Sequence, residues 1–171
     1  TIAGDIDITG ARLHVDASTG RIGVNTSTPS YPVDIIGSGI TSGTASFSVR
    51  NQNLNYLIFA RDDNKVGINT GSPTSTLHIA GSISANVTSN TASYTLAATD
   101  YCVIFTGGSA STYTLPTAST CTGRIYLVVN HGAVALTISA YTIANATTAT
   151  SISAGSSLQL ISDGTVWRKI N

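Results

Sequence analysis

Apolar and polar residues alternate with period two in short runs along the first half of the chain: Ile6-Asp7-Ile8, Leu13-His14-Val15, Val33-Asp34-Ile35, Phe47-Ser48-Val49 and Leu77-His78-Ile79. Clusters of Gly, Asn, Ser and Pro separate these runs, a pattern that predicts short β-strands joined by turns. One segment recurs. Arg21-Ile-Gly-Val-Asn-Thr-Ser-Thr-Pro29 returns as Lys65-Val-Gly-Ile-Asn-Thr-Gly-Ser-Pro73, so that residue 21 maps to 65 and 29 to 73, a constant offset of 44. The match runs on from Val33–Gly37 to Leu77–Gly81, which gives repeat units at about 21–37 and 65–81. A fixed-period repeat means that one supersecondary unit is iterated, and what is iterated here is strand, turn and strand.

Gly23 and Gly67 interrupt strands, where a glycine is costly unless another backbone comes close. Asn25-Thr26 and Asn69-Thr70 then begin a turn, and Pro29 and Pro73 restart an extended segment. Each unit is too small to cover its own apolar face. Two repeats are fewer than a solenoid needs, so self-association about a rotation axis is expected, with the in-strand glycines close to that axis. The expected partner is the chain itself, as a homotrimer.

From Tyr94 the pattern changes. Residues 82–93 read as a connector low in large apolar groups, and eight strand-like runs follow at Tyr94–Ala97, Tyr101–Thr106, Tyr113–Leu115, Arg124–Asn130, Val134–Ser139, Thr142–Ile143, Ser157–Ser162 and Val166–Ile170. Turn signals at Gly107-Gly108, Gly132 and Asp163-Gly164 separate several of them. The expected fold is all-β: an interchain trimeric β-repeat shaft over residues 1–89, then a small β-sandwich or jelly-roll-like domain over 90–171.

Composition narrows the function classes. Charged residues are 9% of the chain, Glu and Met are absent, and Ser with Thr exceed a quarter of it. Basic and acidic side chains balance at 8 each, so no basic stripe is available to offset phosphates and nucleic-acid binding is not expected. No run of about 18 apolar residues suggests membrane insertion. Cys102 and Cys121 are too few for a disulfide framework, and read as small buried hydrophobes, with a single bridge as the alternative.

The pattern R/K-[IV]-G-[VI]-N-T-x-x-P-x-x-x-[VL]-x-I-x-G resembles the units along phage tail fibres and related trimeric fibre proteins. The segments Tyr94-Thr-Leu, Tyr113-Thr-Leu-Pro116, Gly123-Arg-Ile-Tyr-Leu-Val-Val-Asn130 and Ser162-Asp-Gly-Thr-Val-Trp167 resemble a small β-domain that recurs in such proteins. The resemblance implies a homotrimeric fibre part of a virion, extracellular, facing the host. It also implies other tail-fibre or baseplate proteins as partners, with a surface glycan or protein of the host cell as receptor. Similar units occur in bacterial surface adhesins and contractile injection-system fibres, which stand as one alternative; a polysaccharide-degrading tailspike is another. Many such fibres carry a self-cleaving chaperone, which would here lie beyond Asn171.

Candidate chemistry is sparse. Asp5 and Asp7 would share a strand face about 7 Å apart, superficially compatible with a glycosidase pair, yet read as a solvated face. Asp62-Asp63-Asn64 reads as a hairpin turn. His14, His78 and His131 are isolated, so no metal or other cofactor is expected, and no nucleophile elbow or phosphate loop is present. The sequons at Asn25, Asn86 and Asn145 are expected by chance in so Ser/Thr-rich a chain. The non-catalytic reading leaves recognition. If Arg124–Asn130 is a strand, Arg124, Tyr126, Val128 and Asn130 share one face, while Ile125, Leu127 and Val129 face the core. Arg124, Tyr126, Asn130 and His131, with Tyr141 nearby, form the expected receptor-binding patch. Trp167 reads as a packing residue.

Overall fold

The two copies of the repeat fold alike, and they do so because each glycine lies under its own following loop. In the computed structural model, which describes residues 6–7, 13–143 and 147–171, the chain divides into two units, Thr1–Ile83 and Ser84–Asn171. The first unit holds two four-stranded sheets. One runs β1 (Ile6–Asp7), β2 (Leu13–Asp16), β3 (Arg21–Val24), β4 (Val33–Ile35); the other runs β5 (Ala45–Arg50), β6 (Tyr56–Arg61), β7 (Lys65–Ile68), β8 (Leu77–Ile79). In each sheet an antiparallel hairpin is extended by a parallel strand.

The short parallel crossover is what the Gly-x-Asn-Thr signature builds. Asn25 and Asn69 adopt left-handed backbone, φ 60 and 58°, which Asn tolerates better than most residues. Their side-chain amides then donate to Ile36 O (3.2 Å) and Ala80 O (2.9 Å), tying the loop to the far end of the parallel strand. The loop folds back so closely that a Cβ on Gly23 would lie 2.3 Å from Thr26 O, and one on Gly67 2.3 Å from Thr70 O. The in-strand glycines thus answer to the chain's own loop. That contact accounts for the glycines without any approach to an axis. Pro29 and Pro73 are buried in the same loops.

Strand register extends the repeat beyond what residue identity showed. His14 pairs with Gly23 and Phe59 with Gly67, so a histidine and a phenylalanine hold equivalent places, both buried. The turn before β3 has four residues, Ala17–Gly20, whereas that before β7 has three, Asp62–Asn64, which shifts the offset from 44 to 45 upstream of the turn. The expected hairpin at Asp62-Asp63-Asn64 is present. There Asp63 accepts from Arg61 Nε at 2.6 Å and Lys65 Nζ at 3.2 Å, while Asp62 accepts from Ser46 Oγ and from the Gly39 amide at 3.3 Å.

The second unit is built by winding. β9 (Val87–Asn90), β11 (Cys102–Phe105) and β13 (Ile125–Asn130) add in parallel to one ladder; β10 (Tyr94–Thr95), β12 (Thr112–Thr114) and β14 (Leu136–Thr142) add in parallel to another. The chain alternates between ladders, so corners stack on one another: Thr106 N donates to Asn90 O and His131 N to Phe105 O. Gly107 and Gly132 occupy those corners, and a Cβ on Gly132 would lie 2.4 Å from Gly107 O. β15 (Thr148–Ile152) returns antiparallel on β14, β16 (Ser157–Ser162) antiparallel on β13, and β17 (Trp167–Lys169) joins β16 to β14. The result is one nine-stranded mixed sheet round a single core. Phe105 and Tyr113, from opposite ladders, meet edge to face at 5.9 Å.

The chain is thus nearly all-β, as expected. The five parallel ladders of the second unit differ from the antiparallel order of a jelly roll. Strand spacing does not fix the partner of a strand, and it also missed β15 at Thr148–Ile152. The presumed connector also contributes β9, whose apolar content is low because it is an edge strand with Val87 59% exposed. Thr142 continues β14 instead of opening a new strand.

Candidate functional site

The expected patch on β13 does not form, because the strand presents the opposite face. Tyr126, Val128 and Asn130 are fully buried, whereas Ile125, Leu127 and Val129 are half-buried on the outer side. The reason lies in the partners waiting inside. Tyr126 is paired with Leu160 and Val128 with Leu158, both core residues. The Tyr126 hydroxyl donates to Ala97 O at 2.8 Å, and its ring lies 5.2 Å from that of Trp167. Asn130 donates to Val134 O and Ile152 O, both at 2.9 Å, and accepts from the Gly132 amide at 2.9 Å. A polar side chain so fully bonded can be buried without the penalty of an unpaired group. Hydropathy alone ranked these two below Ile and Leu for the core, and the hydrogen bonds reverse that order.

The remaining patch residues scatter. Arg124 is half-buried, with Nη1 3.3 Å from the Tyr126 hydroxyl. His131 is exposed at a corner. Tyr141 is buried, its hydroxyl donating to Ser151 O at 3.1 Å. Trp167 packs as expected, with Nε1 donating to Pro116 O at 2.8 Å. Cys102 and Cys121 are both free, and Cys121 is buried with Sγ 3.5 Å from Thr117 O.

Of the other candidates, His78 accepts from the Thr74 amide at 3.3 Å, as Asp34 accepts from Ser30 at 2.9 Å in the first repeat. Both close a loop. Among the described residues no three His, Cys, Asp or Glu side chains come together. The Asp5/Asp7 pair and the Asn145 sequon lie outside the residues whose side chains are described.

Two features were not foreseen. The first is a pair of bare apolar faces. In the first sheet Leu13 pairs with Val24, Val15 with Ile22, Ile22 with Val33 and Val24 with Ile35, so all six share one face. In the second, Phe47, Val49, Ile58, Ala60, Val66, Ile68, Leu77 and Ile79 share the equivalent face by the same pairings. None of these fourteen side chains is buried. Ile22, Phe47, Val33, Ile58, Val66 and Leu77 are 37 to 58% exposed. The opposite face of each sheet, carrying His14 and Phe59, is the one the chain's own loops cover. Alternation was visible in the sequence, but which face the loops would take was not.

The second is a cleft of about 180 Å³ at the end of the second unit, between β15, β16 and β17. Four serines, Tyr141 and Lys169 line it, with the buried Ile152 and Leu158 beneath. The clustered Ser151, Ser153, Ser156 and Ser157 are the sequence signal that could have found it. Comparison of the chain with family models, curated proteins and solved structures finds no match. The reading of function therefore rests on these surfaces.

Proposed function

We propose that the chain is part of a homotrimeric phage tail fibre: a non-catalytic element whose first unit is a shaft segment and whose second unit presents a receptor-binding surface to the host envelope. The observation that carries the reading is the bare apolar face, present twice at equivalent positions in the first unit. Small isolated sheets are marginal in water unless an apolar face is covered. Covering a half-exposed large aliphatic or aromatic side chain contributes about 1 kcal/mol, so the six most exposed supply several kcal/mol for each chain. A second copy of the same chain brings a matching pair of faces, as closed rotational assembly requires. Three copies on one axis also raise the avidity of a weak receptor site, and the family resemblance of the repeat supports this use.

Sedimentation velocity at micromolar concentration tests it. The expected species is three times the 17.5 kDa chain. Val66→Asp with Leu77→Asp places two charges on the face and should leave a monomer whose Trp167 fluorescence is unchanged. A monomeric wild-type chain overturns the assembly.

A further inference from the structure

We propose that the cleft of the second unit binds a carboxylate-bearing monosaccharide unit, with Lys169 reading the carboxylate and the serine walls reading ring hydroxyls. This deepens the receptor-binding reading, on which it rests, by naming the class of ligand.

Three observations converge there. The volume of about 180 Å³ is below the roughly 300–1,000 Å³ of pockets for drug-sized molecules, and suits one sugar ring. The walls are polar and unspent: none of the hydroxyls of Ser151, Ser153, Ser156 and Ser157 is engaged with another described residue, while Tyr141 is fixed by its bond to Ser151 O. Beneath them Ile152 and Leu158 are buried in the core, so the cleft presents an almost wholly polar surface, which suits the hydroxyl-rich edge of a sugar.

Charge selects among sugars. In the second unit Arg168 is paired with Asp163, Arg124 lies against the Tyr126 hydroxyl, and Asp100 accepts from Thr88, Tyr94 and the Ala97 amide. Lys169 alone among these charged groups has no partner among the described residues, and it is the only charged residue lining the cleft. An ammonium beside free hydroxyls complements a ligand with one anionic group and several neutral donors and acceptors. A uronic acid has that pattern; a neutral hexose lacks the charge, and inorganic phosphate lacks the ring.

Titration of the full chain with D-glucuronate, D-glucose and inorganic phosphate, followed on backbone amide resonances, separates these. Glucuronate should shift the amides of 151–158 and 169 with a millimolar Kd, weak as befits a single-site contact. Glucose should bind at least about tenfold more weakly, the discrimination a charge-assisted hydrogen bond provides. Lys169→Met should weaken glucuronate by about tenfold and leave glucose unchanged, while Lys169→Arg restores most of the loss. Retained amide dispersion in both variants shows that the fold persists. Equal binding of glucuronate and glucose, phosphate as tight as glucuronate, or shifts confined to other residues would each overturn the proposal. Sedimentation of the same samples keeps the two readings apart: a trimer indifferent to glucuronate sinks the site alone, and a monomer that binds it sinks the assembly alone.

Discussion

The two units solve the same problem, an apolar β-sheet in water, by opposite means. Of the 17 buried hydrophobic side chains among the described residues, 16 lie in the second unit and only Phe59 in the first. Of the 16 exposed large hydrophobics, 12 lie in the first unit. The overall apolar content of the chain therefore says little about where a core will be. The second unit winds its two ladders round Phe105, Tyr113, Tyr126 and Trp167 and buries them in its own core. The first covers one side of each sheet with loops and leaves the other bare. A buried core in one unit and a bare apolar face in the other is the contrast that the following experiments can break.

The largest effect is expected from Tyr126→Ala. Its ring is fully buried and its hydroxyl satisfied, so truncation leaves a cavity costing about 3–5 kcal/mol. Trp167, the single tryptophan, reports on the second unit alone. Its unfolding midpoint in denaturant should fall steeply, at a value independent of protein concentration, while the sedimentation coefficient of the native protein is retained. A midpoint that moves with concentration would mean that the second unit also draws its stability from assembly.

Gly67→Ala probes the first unit at smaller scale. The new Cβ would stand 2.3 Å from a backbone carbonyl, which cannot swing away as a side-chain tip can. A cost of about 1–3 kcal/mol is expected from such overpacking, and Gly23→Ala should match it because the contact is the same. Gly81→Ala, with no atom within 4 Å of the added carbon, is the control. Circular dichroism melts should show the two former variants losing the first unit early, with Trp167 fluorescence unmoved. Equal behaviour of all three would refute the loop-over-glycine account.

These residues also mark how far the sequence could be read. The repeat, the hairpin at Asp62–Asn64, the all-β class and the change of pattern before Tyr94 all follow from local spacing and turn chemistry. The pairing of strands does not, since a period-two run is equally content in a parallel or an antiparallel ladder. The burial of Tyr126 and Asn130 depends on carbonyls distant in sequence, at Ala97 and Ile152, and so reversed the face expected of β13. The serine cleft was legible only as composition; the winding that brings Lys169 beside Ser151–Ser157 had to be seen.

Acidification gives the gentlest test of the contrast. Asp63 is held down to about 2 by its hydrogen bond from Arg61, then by Lys65, and Asp163 to about 2 by the Val166 and Thr165 amides and then by Arg168. For a carboxylate with a lowered folded pKa, the stabilisation is complete above the unfolded value of about 3.9 and is lost as pH falls through the folded one. Both turns should therefore weaken between about pH 4 and pH 2. The consequences differ. Asp163 braces a turn whose strands are anchored by Trp167 and Leu160 in the unit's own buried core. Asp63 braces the β6–β7 hairpin, whose apolar face, with Ile58 and Val66, lies bare. Followed by circular dichroism and Trp167 fluorescence down to pH 2, strand signal from the first unit should fall first, with dissociation in sedimentation, while the fluorescence holds. Asp63→Asn should bring that loss to neutral pH without altering the fluorescence transition. Simultaneous loss of both signals would show that the units stand or fall together.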